Sequence, residues 1–502
     1  MTIEEINQQA EELIRSGQRE KARAVLVRLK GMQIPRARAS SLATLARRAG
    51  LLPLALQIMS PIIRPKVTLE KEATDAEKAA YAVILLGLGA STEALEILSN
   101  ADSKNAEVLL SLAFTHINRW DYASAIVYLK RYLASEEPTS YQKLIGRVNL
   151  AASFVATGNA FEARPLLKGI LQETRANNWM LLQKNALELC AQIAIQNQEW
   201  EHAEQFLQEA SRVGSADGKS DLNDFFVRKW QAIAAVLKFG AKPETIDGLA
   251  KVRELALSLS HWETIRDCDY HRAIALKDPQ LALSVYFGTP YARFRDRLTE
   301  SSSSWLAIPD EYVWNPLGGV SGSTAGRVFN IRRGEEINGA ATLKPGKGLH
   351  CALETLTSDF YRPFLVGSLH SAVFPGEHFN PVSSPRRVAF LVHRLREWTE
   401  EHEIPVNIVV NKDGYRLQAE KPFAFLVSRS PVSKAEGDPS HYLVMLDKLK
   451  EQWGSRYFTV TQVSDQFEIS LRTARYFLKW AAEKKKLKRI GTGRATQYKL
   501  GR

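Results

Sequence analysis

The sequence predicts a mostly helical protein: an N-terminal α-solenoid followed by two small α+β domains. Three observations predict it. Between residues 17 and 207 a small residue or turn breaker precedes an alanine by five positions, again and again. After residue 326 the pattern changes to short strand-like runs alternating with helical ones. Residues 441–502 hold 14 Lys/Arg against 5 Asp/Glu, so nine of the twelve net positive charges lie there. At 502 residues the chain exceeds what one core organises, and two to four domains are expected.

The repeated pairs are Gly17/Ala22, Gly50/Ala55, Gly89/Ala94 and Gly158/Ala163, with Trp120/Ala125 and Gln198/Ala203 as variants. Four residues after each alanine stands a large apolar residue: Leu26, Met59, Leu98, Leu129, Leu167 and Leu207. The alanines lie 33, 39, 31, 38 and 40 apart. Such a period predicts stacked helix pairs, with glycine ending the first helix and alanine letting the second pack closely. The pattern resembles the tetratricopeptide repeat (TPR), whose usual period is about 34. That resemblance implies a concave groove that takes a peptide or a protein helix. Family members that clamp a peptide carboxylate keep an asparagine eleven positions before the marker alanine. Here those positions hold Glu11, Thr44, Val83, Phe114, Ala152 and Gln192. The groove then takes a different peptide, another subunit or part of this same chain. Residues 217–298 stay helical in composition, with one helix at 279–287, and complete a helical domain over 1–300.

Four serines at 301–304 and a small-residue loop at 316–326 mark a linker over 301–326. The next domain, 327–423, reads as strands at 327–332 and 340–343, then helices at 349–360, 366–374 and 384–401. The last helix opens on Ser-Pro, a helix-start signal, and carries Val388, Leu391, Val392, Leu395 and Trp398 at core spacing. A hairpin follows, with strands at 405–410 and 415–417 around Asn411-Lys412-Asp413-Gly414. Its Asp-Gly favours a turn because glycine accepts positive φ. This segment resembles the effector domain of OmpR/PhoB-type response regulators in Arg387-Val388, Arg394-Leu395-Arg396 and Gly414-Tyr415-Arg416-Leu417. The resemblance makes 384–401 a recognition helix and 411–414 a wing tip. It implies Arg386, Arg387, His393, Arg394 and Lys412 as DNA-facing residues. Ala389, Phe390 and Leu391 depart from the family's more polar pattern, and Glu397, Glu400, Glu401 and Glu403 dilute the charge. The alternative for this domain is a partner surface, including one that makes a homodimer.

A second linker is expected over 424–440, and a last domain over 441–502. Residues 458–460 form a short β-branched and aromatic run, 461–467 a short helix, and 468–470 a tight turn. Ser470 occupies an N-cap position, where its hydroxyl accepts an orphan backbone N–H. Beyond it, Ala474, Phe477, Leu478 and Ala481 make one apolar stripe, and Arg472, Arg475, Tyr476 and Lys479 lie on another face. After Lys484, Lys485 and Lys486, two strands (487–490 and 496–500) flank Gly491-Thr492-Gly493-Arg494. Helix, turn, helix and basic hairpin make a winged helix-turn-helix. The apolar stripe seats the second helix on a small core while the cationic stripe enters a major groove. Arginine there bonds a guanine edge with two parallel donors. The segment resembles the winged-helix domains of bacterial transcription regulators, notably in Ser470-Leu471-Arg472-Thr473-Ala474-Arg475 and Gly491-Thr492-Gly493-Arg494. By that resemblance Ser470, Arg472, Thr473, Arg475, Tyr476, Lys479 and Arg494 face DNA. A winged helix that contacts only proteins is the alternative.

No Walker lysine loop, HExxH helix, CxxC pair or GxSxG elbow occurs. Lys344-Pro345-Gly346-Lys347-Gly348 lacks the spacing of a phosphate loop and reads as a basic loop before a helix. The histidines are scattered, and His370 and His378 have no carboxylate at ligand or base spacing in the sequence. No enzyme, cofactor or metal is expected. Cys190, Cys268 and Cys351 are far apart and suit reduced thiols. The acidic start, Met1 to Glu5, is unlike a signal peptide, and the longest apolar run, 79–90, is too short to span a bilayer. The expectation is a cytoplasmic, bacterial-style transcription regulator whose partners are double-stranded DNA and a peptide or protein in the groove, with no membrane. Two competitors share the surface: a non-enzymatic scaffold whose winged helices contact proteins, and an RNA-binding adaptor.

Overall fold

Apolar residues at three- and four-residue spacing make helix the dominant element of the chain. The computed structural model describes residues 1–15, 18–65, 71–102, 104–213, 221–317, 326–412, 414–429, 440–467, 469–491 and 496–500. Its first helices come in pairs: α1 (Ile3–Arg15) with α2 (Arg19–Leu26), α3 (Arg36–Arg48) with α4 (Leu52–Ile63), and α5 (Asp75–Leu88) with α6 (Ser91–Ser99). Then come α7 (Ala106–Asn118) with α8 (Tyr122–Ala134), α9 (Ser140–Ala156) with α10 (Ala160–Ala176), and α11 (Met180–Gln196) with α12 (Trp200–Arg212). Five more follow: α13 (Asp221–Phe239), α14 (Pro243–Ser258), α15 (Trp262–Leu276), α16 (Pro279–Phe287) and α17 (Ala292–Ser302). Next are β1 (Glu311–Trp314), β2 (Val328–Asn330), β3 (Glu335–Ile337), α18 (Gly348–Leu356), α19 (Val366–Val373) and α20 (Ser383–Glu401). A hairpin of β4 (Val406–Asn411) and β5 (Gly414–Ala419) leads to β6 (Ala424–Ser428) and α21 (Ser440–Trp453). The chain closes with α22 (Val460–Gln466), α23 (Leu471–Glu483), β7 (Leu487–Ile490) and β8 (Gln497–Leu500). Among the described residues no helix is long and apolar enough to cross a membrane.

The chain divides into two units. Unit 1 comprises Met1–Ile308, Asp359–Phe390 and Val409–Arg416. From α1 to α17 each helix packs on its neighbour in sequence, and most first helices of a pair also pack on the first helix of the next pair. All six marker alanines and the six apolar residues that follow them are at most 1% exposed. Gly50, Gly89 and Gly158 have φ of +79°, +86° and +75°, and Trp120 and Gln198 adopt +60° and +61° at the equivalent turn. The variants therefore keep the left-handed conformation that closes a helix, at a steric cost glycine avoids. Gly17 lies outside the described residues. Aromatic side chains pack together in this unit: Trp120 stacks on Tyr291 at 5.3 Å and Trp179 meets Tyr141 edge-on at 5.1 Å.

Unit 2 comprises Pro309–Ser358, Leu391–Ile408 and Leu417–Arg502. Its sheet has the order β1-β6-β2-β3, with β1/β6 and β2/β3 antiparallel and β2/β6 parallel. Phe329, Phe423 and Phe425 fill its core, Trp398 meets Phe329 edge-on at 5.4 Å, and the Trp398 indole N–H donates to the Thr342 carbonyl. Helix α20 and the β4–β5 hairpin have residues in both units.

These divisions differ from the expected boundaries at 300, 326 and 423. Residues 359–390 belong with the helices of unit 1, where α19 packs on α5 and α6. Strands β1 and β6, from the two stretches expected to be linkers, pair from Glu311↔Ser428 to Trp314↔Phe425. Strand pairing across more than a hundred residues leaves no local signature, so short runs such as Ala424–Ser428 read as linker.

Candidate nucleic-acid interface

Helix α23 carries the clearest site. Ser470 caps it by accepting the Thr473 N–H at 3.1 Å, and the two hydroxyl oxygens of Ser470 and Thr473 lie 2.9 Å apart. The preceding α22 begins at a capping box between Thr459 and Gln462, which fixes where that helix starts. Ala474, Phe477, Leu478 and Ala481 are fully buried against Leu446 and Leu449 of α21, Phe458, Val463, Leu487 and Tyr498. Burying that stripe commits the opposite face to solvent.

Arg472, Arg475, Tyr476 and Lys479 are all exposed on it. The Arg472 guanidinium sits 5.8 Å from the Tyr476 ring centroid, and Lys479 lies 3.8 Å from Glu483, both side chains well exposed. No carboxylate partners Arg472 or Arg475 among the described residues. Ser470 and Thr473 stand at the same end, with their hydroxyls engaged in the cap. Arg494 lies outside the described residues. The hairpin that bears it runs antiparallel from Leu487↔Leu500 to Ile490↔Gln497. Lys488 and Arg489 on β7 are exposed and were not singled out from the sequence; two adjacent cations in the first strand of a basic hairpin, continuing the lysines at 484–486, were the available signal. The lysines at 484–486 are exposed between α23 and β7.

The second set of residues lies on α20. Val388, Leu391, Val392, Leu395 and Trp398 are buried, and Arg386, His393 and Arg394 are exposed. Arg387 is already engaged: it pairs with Glu377, and its guanidinium stacks 3.9 Å from the Phe374 ring centroid. His393 lies 3.3 Å from Glu397, and Phe390 is 63% exposed among the cations. Lys412 is exposed on the β4–β5 hairpin, where the Gly414 N–H donates to Asn411 Oδ1; Asp413 lies outside the described residues.

Folding does bring partners to the two histidines that lacked them in the sequence. His378 Nδ1 lies 3.7 Å from Glu93 of α6, whose carboxyl is pushed up mainly by burial. His370 Nε2 lies 3.0 Å from Ser384 Oγ, with both side chains at most 1% exposed. A pair so deeply buried joins α19 to the start of α20 and presents no surface to a substrate. Among the described residues no group of three or more His, Cys, Asp and Glu is placed to hold a metal ion. No protein-family model matches the chain, and no curated protein matches it.

Proposed function

We propose that the chain is a non-enzymatic DNA-binding transcription regulator. In this reading a tetratricopeptide-like solenoid takes a peptide or protein in its groove, and winged helices engage duplex DNA. The observation that carries it is α23: a capped helix whose fully buried stripe turns Arg472, Arg475 and Lys479 outward, followed by a hairpin with exposed Lys488 and Arg489. Helices α22 and α23 are then the helix-turn-helix and β7–β8 the wing. Cations on an exposed helix face suit both phosphate contact and bidentate bonding to guanine. The buried marker alanines and the left-handed turns before them support the repeat. A cytoplasmic location is part of the proposal, and Cys190, Cys268 and Cys351 as free thiols accord with it.

The test is binding of the purified chain to fragmented genomic DNA across a salt series, with sequencing of what is retained. An Arg472→Glu/Arg475→Glu variant is run in parallel. Enrichment of a few sites that the variant loses is the expected outcome. Uniform binding that disappears with modest salt would mean phosphate contact alone and would sink the regulator reading.

A second reading applies to α20. The exposure of Phe390 and the Arg387–Glu377 pair favour a protein partner there, including a second copy of the chain. Loss of self-association in a Phe390→Ser variant, with site enrichment unchanged, is the outcome that would support it. Loss of site enrichment without a change in mass would return α20 to DNA.

A further inference from the structure

The positive charge of this chain is concentrated twice. Residues 15–48 hold ten Lys/Arg and one acidic residue, Glu20, a surplus equal to that of residues 441–502. Taken with the total of +12, the two surpluses leave the rest of the chain net acidic.

Among the described residues, two of these cations pair with carboxylates. Arg36 binds the Glu77 carboxylate through Nε and Nη2 at 2.9 and 2.7 Å, and Arg38 lies 3.0 Å from Glu4. Arg19, Lys21, Arg23, Arg28, Lys30 and Arg48 are exposed, and none has a carboxylate partner among the described residues. The Arg19 guanidinium lies against Gly50, where an added Cβ would come within 2.6 Å of it. It thereby reaches the C-terminal end of α3, whose last turn holds Arg47 and Arg48. Burial and the Arg48 charge push Arg47 below its ordinary value. Helix-end carbonyls attract cations, which accounts for part of this gathering. They do not account for Arg19 opening α2, the end of a helix that disfavours a cation, four residues before Arg23, a like-charge spacing that costs a helix a few tenths of a kcal/mol.

We infer that this N-terminal surface is a second contact to duplex DNA, one that grips the phosphate backbone and reads no bases. The inference rests on the DNA-binding reading given above. Phosphate contact needs cations and no apolar anchor, whereas protein interfaces depend on buried aromatic or aliphatic anchors. The large apolar residues exposed beside these cations are Val27 and Met32, 37% exposed each, and the terminal Met1, 52% exposed, whose Sδ accepts from Arg28; none is aromatic. Arginine predominates among the cations, and its planar fork suits phosphate oxygens.

The experiment uses the full chain and compares an enriched duplex with a random one of equal length across a salt series. An Arg19→Ser/Arg23→Ser/Arg28→Ser/Arg48→Ser variant should weaken both duplexes by the same factor and keep their ratio. The slope of log K against log salt should fall by about 0.9 for each phosphate contact removed. Arg23→Ser/Arg28→Ser alone, away from the end of α3, should give a smaller change of the same kind, and lysine at all four positions should restore the slope. An unchanged slope in a folded quadruple variant overturns the inference while Arg472→Glu/Arg475→Glu still tests the regulator reading separately. Wild-type protein that binds neither duplex overturns both.

Discussion

The Arg266 guanidinium grips the Asp359 carboxylate with Nη2 at 2.9 and 2.8 Å from its two oxygens, and the side chains are 0% and 4% exposed. Arg266 also donates to Glu263 at 2.6 Å and lies about 5 Å from the ring centroids of Tyr291 and Tyr361. The pair joins α15 to a stretch of chain 93 residues further on, inside unit 1. Removing Asp359 leaves the fully buried Arg266 with the partly exposed Glu263 in place of a buried two-oxygen contact, so Asp359→Leu should destabilise the protein by roughly 3 kcal/mol. Replacing both members, Arg266→Met with Asp359→Leu, should cost less than Asp359→Leu alone. Urea unfolding of the three proteins measures this, and a double variant less stable than Asp359→Leu would contradict it.

A second join in unit 1 is made by glycines. An added Cβ at Gly367 would lie 2.5 Å from the Leu88 carbonyl oxygen, and one at Gly89 would collide with Ser368 Oγ. The Ser368 hydroxyl donates to the Gly89 carbonyl at 3.1 Å, and the Phe379 N–H donates to Glu93 Oε2 at 2.7 Å. Backbone meets backbone here, so no side chain can move aside to make room. Gly367→Val should lower stability by about 1–3 kcal/mol. Hydrogen exchange should speed up across 366–380 before it does in α9 to α12. Uniform acceleration would mean that this segment is not a separate cooperative piece.

That segment also shows where the sequence stops being legible. Helices α16, α20, α22 and α23 and both hairpins follow from apolar spacing, caps and turn residues that lie close together in the chain. The docking of 359–390 depends on glycines 278 residues apart and on Glu93, none of which announces a partner. The four-stranded sheet is similar: β6 is five residues long and finds β1 and β2 only through the fold. Helix α21 was within reach, because Tyr442, Met445, Leu446, Leu449 and Trp453 form an apolar stripe. The candidate site on α23 could be read because one helix carries both its buried and its exposed face. The engagement of Arg387 could not, since it depends on the positions of Glu377 and Phe374 in space.

Burial first, and then the Arg297 charge, push the His271 imidazole down to about 3. It is buried on α15 among Asp267 of the same helix, Lys229 of α13 and Arg297 of α17. The unfolded chain takes up this proton near 6.5, and the folded chain does not. The stabilisation is therefore complete above 6.5 and declines as pH falls, by about 2 kcal/mol between pH 6.5 and 5. Glu188, pushed up to about 7 by burial, acts with the opposite sign, favouring the fold below its ordinary value and losing that as pH rises towards 7. The difference between wild type and His271→Gln isolates the histidine. That difference should shrink steadily from pH 7 to 5, and a constant difference would remove His271 as the cause of acid sensitivity.

In unit 2, α21 is held by charges as well as by its apolar stripe. Asp447 pairs with Arg332, Glu451 with Arg333, and Lys448 Nζ lies 2.8 Å from Glu335, so acid and base alternate across the joint. Each member is roughly a third to a half exposed, which limits any single pair to about 0–1 kcal/mol. The arrangement matters more for where α21 sits than for how stable it is, because a slip of three residues would set Lys450 against Arg332 and Glu451 against Glu335. Asp447→Arg/Glu451→Arg should therefore lower the thermal midpoint only slightly while exposing the α21 backbone to proteolysis. Adding Arg332→Asp/Arg333→Glu reverses the polarity of both pairs and should restore protection. A double-mutant cycle with coupling near zero, and no rescue from cleavage, would show that the apolar stripe alone positions the helix.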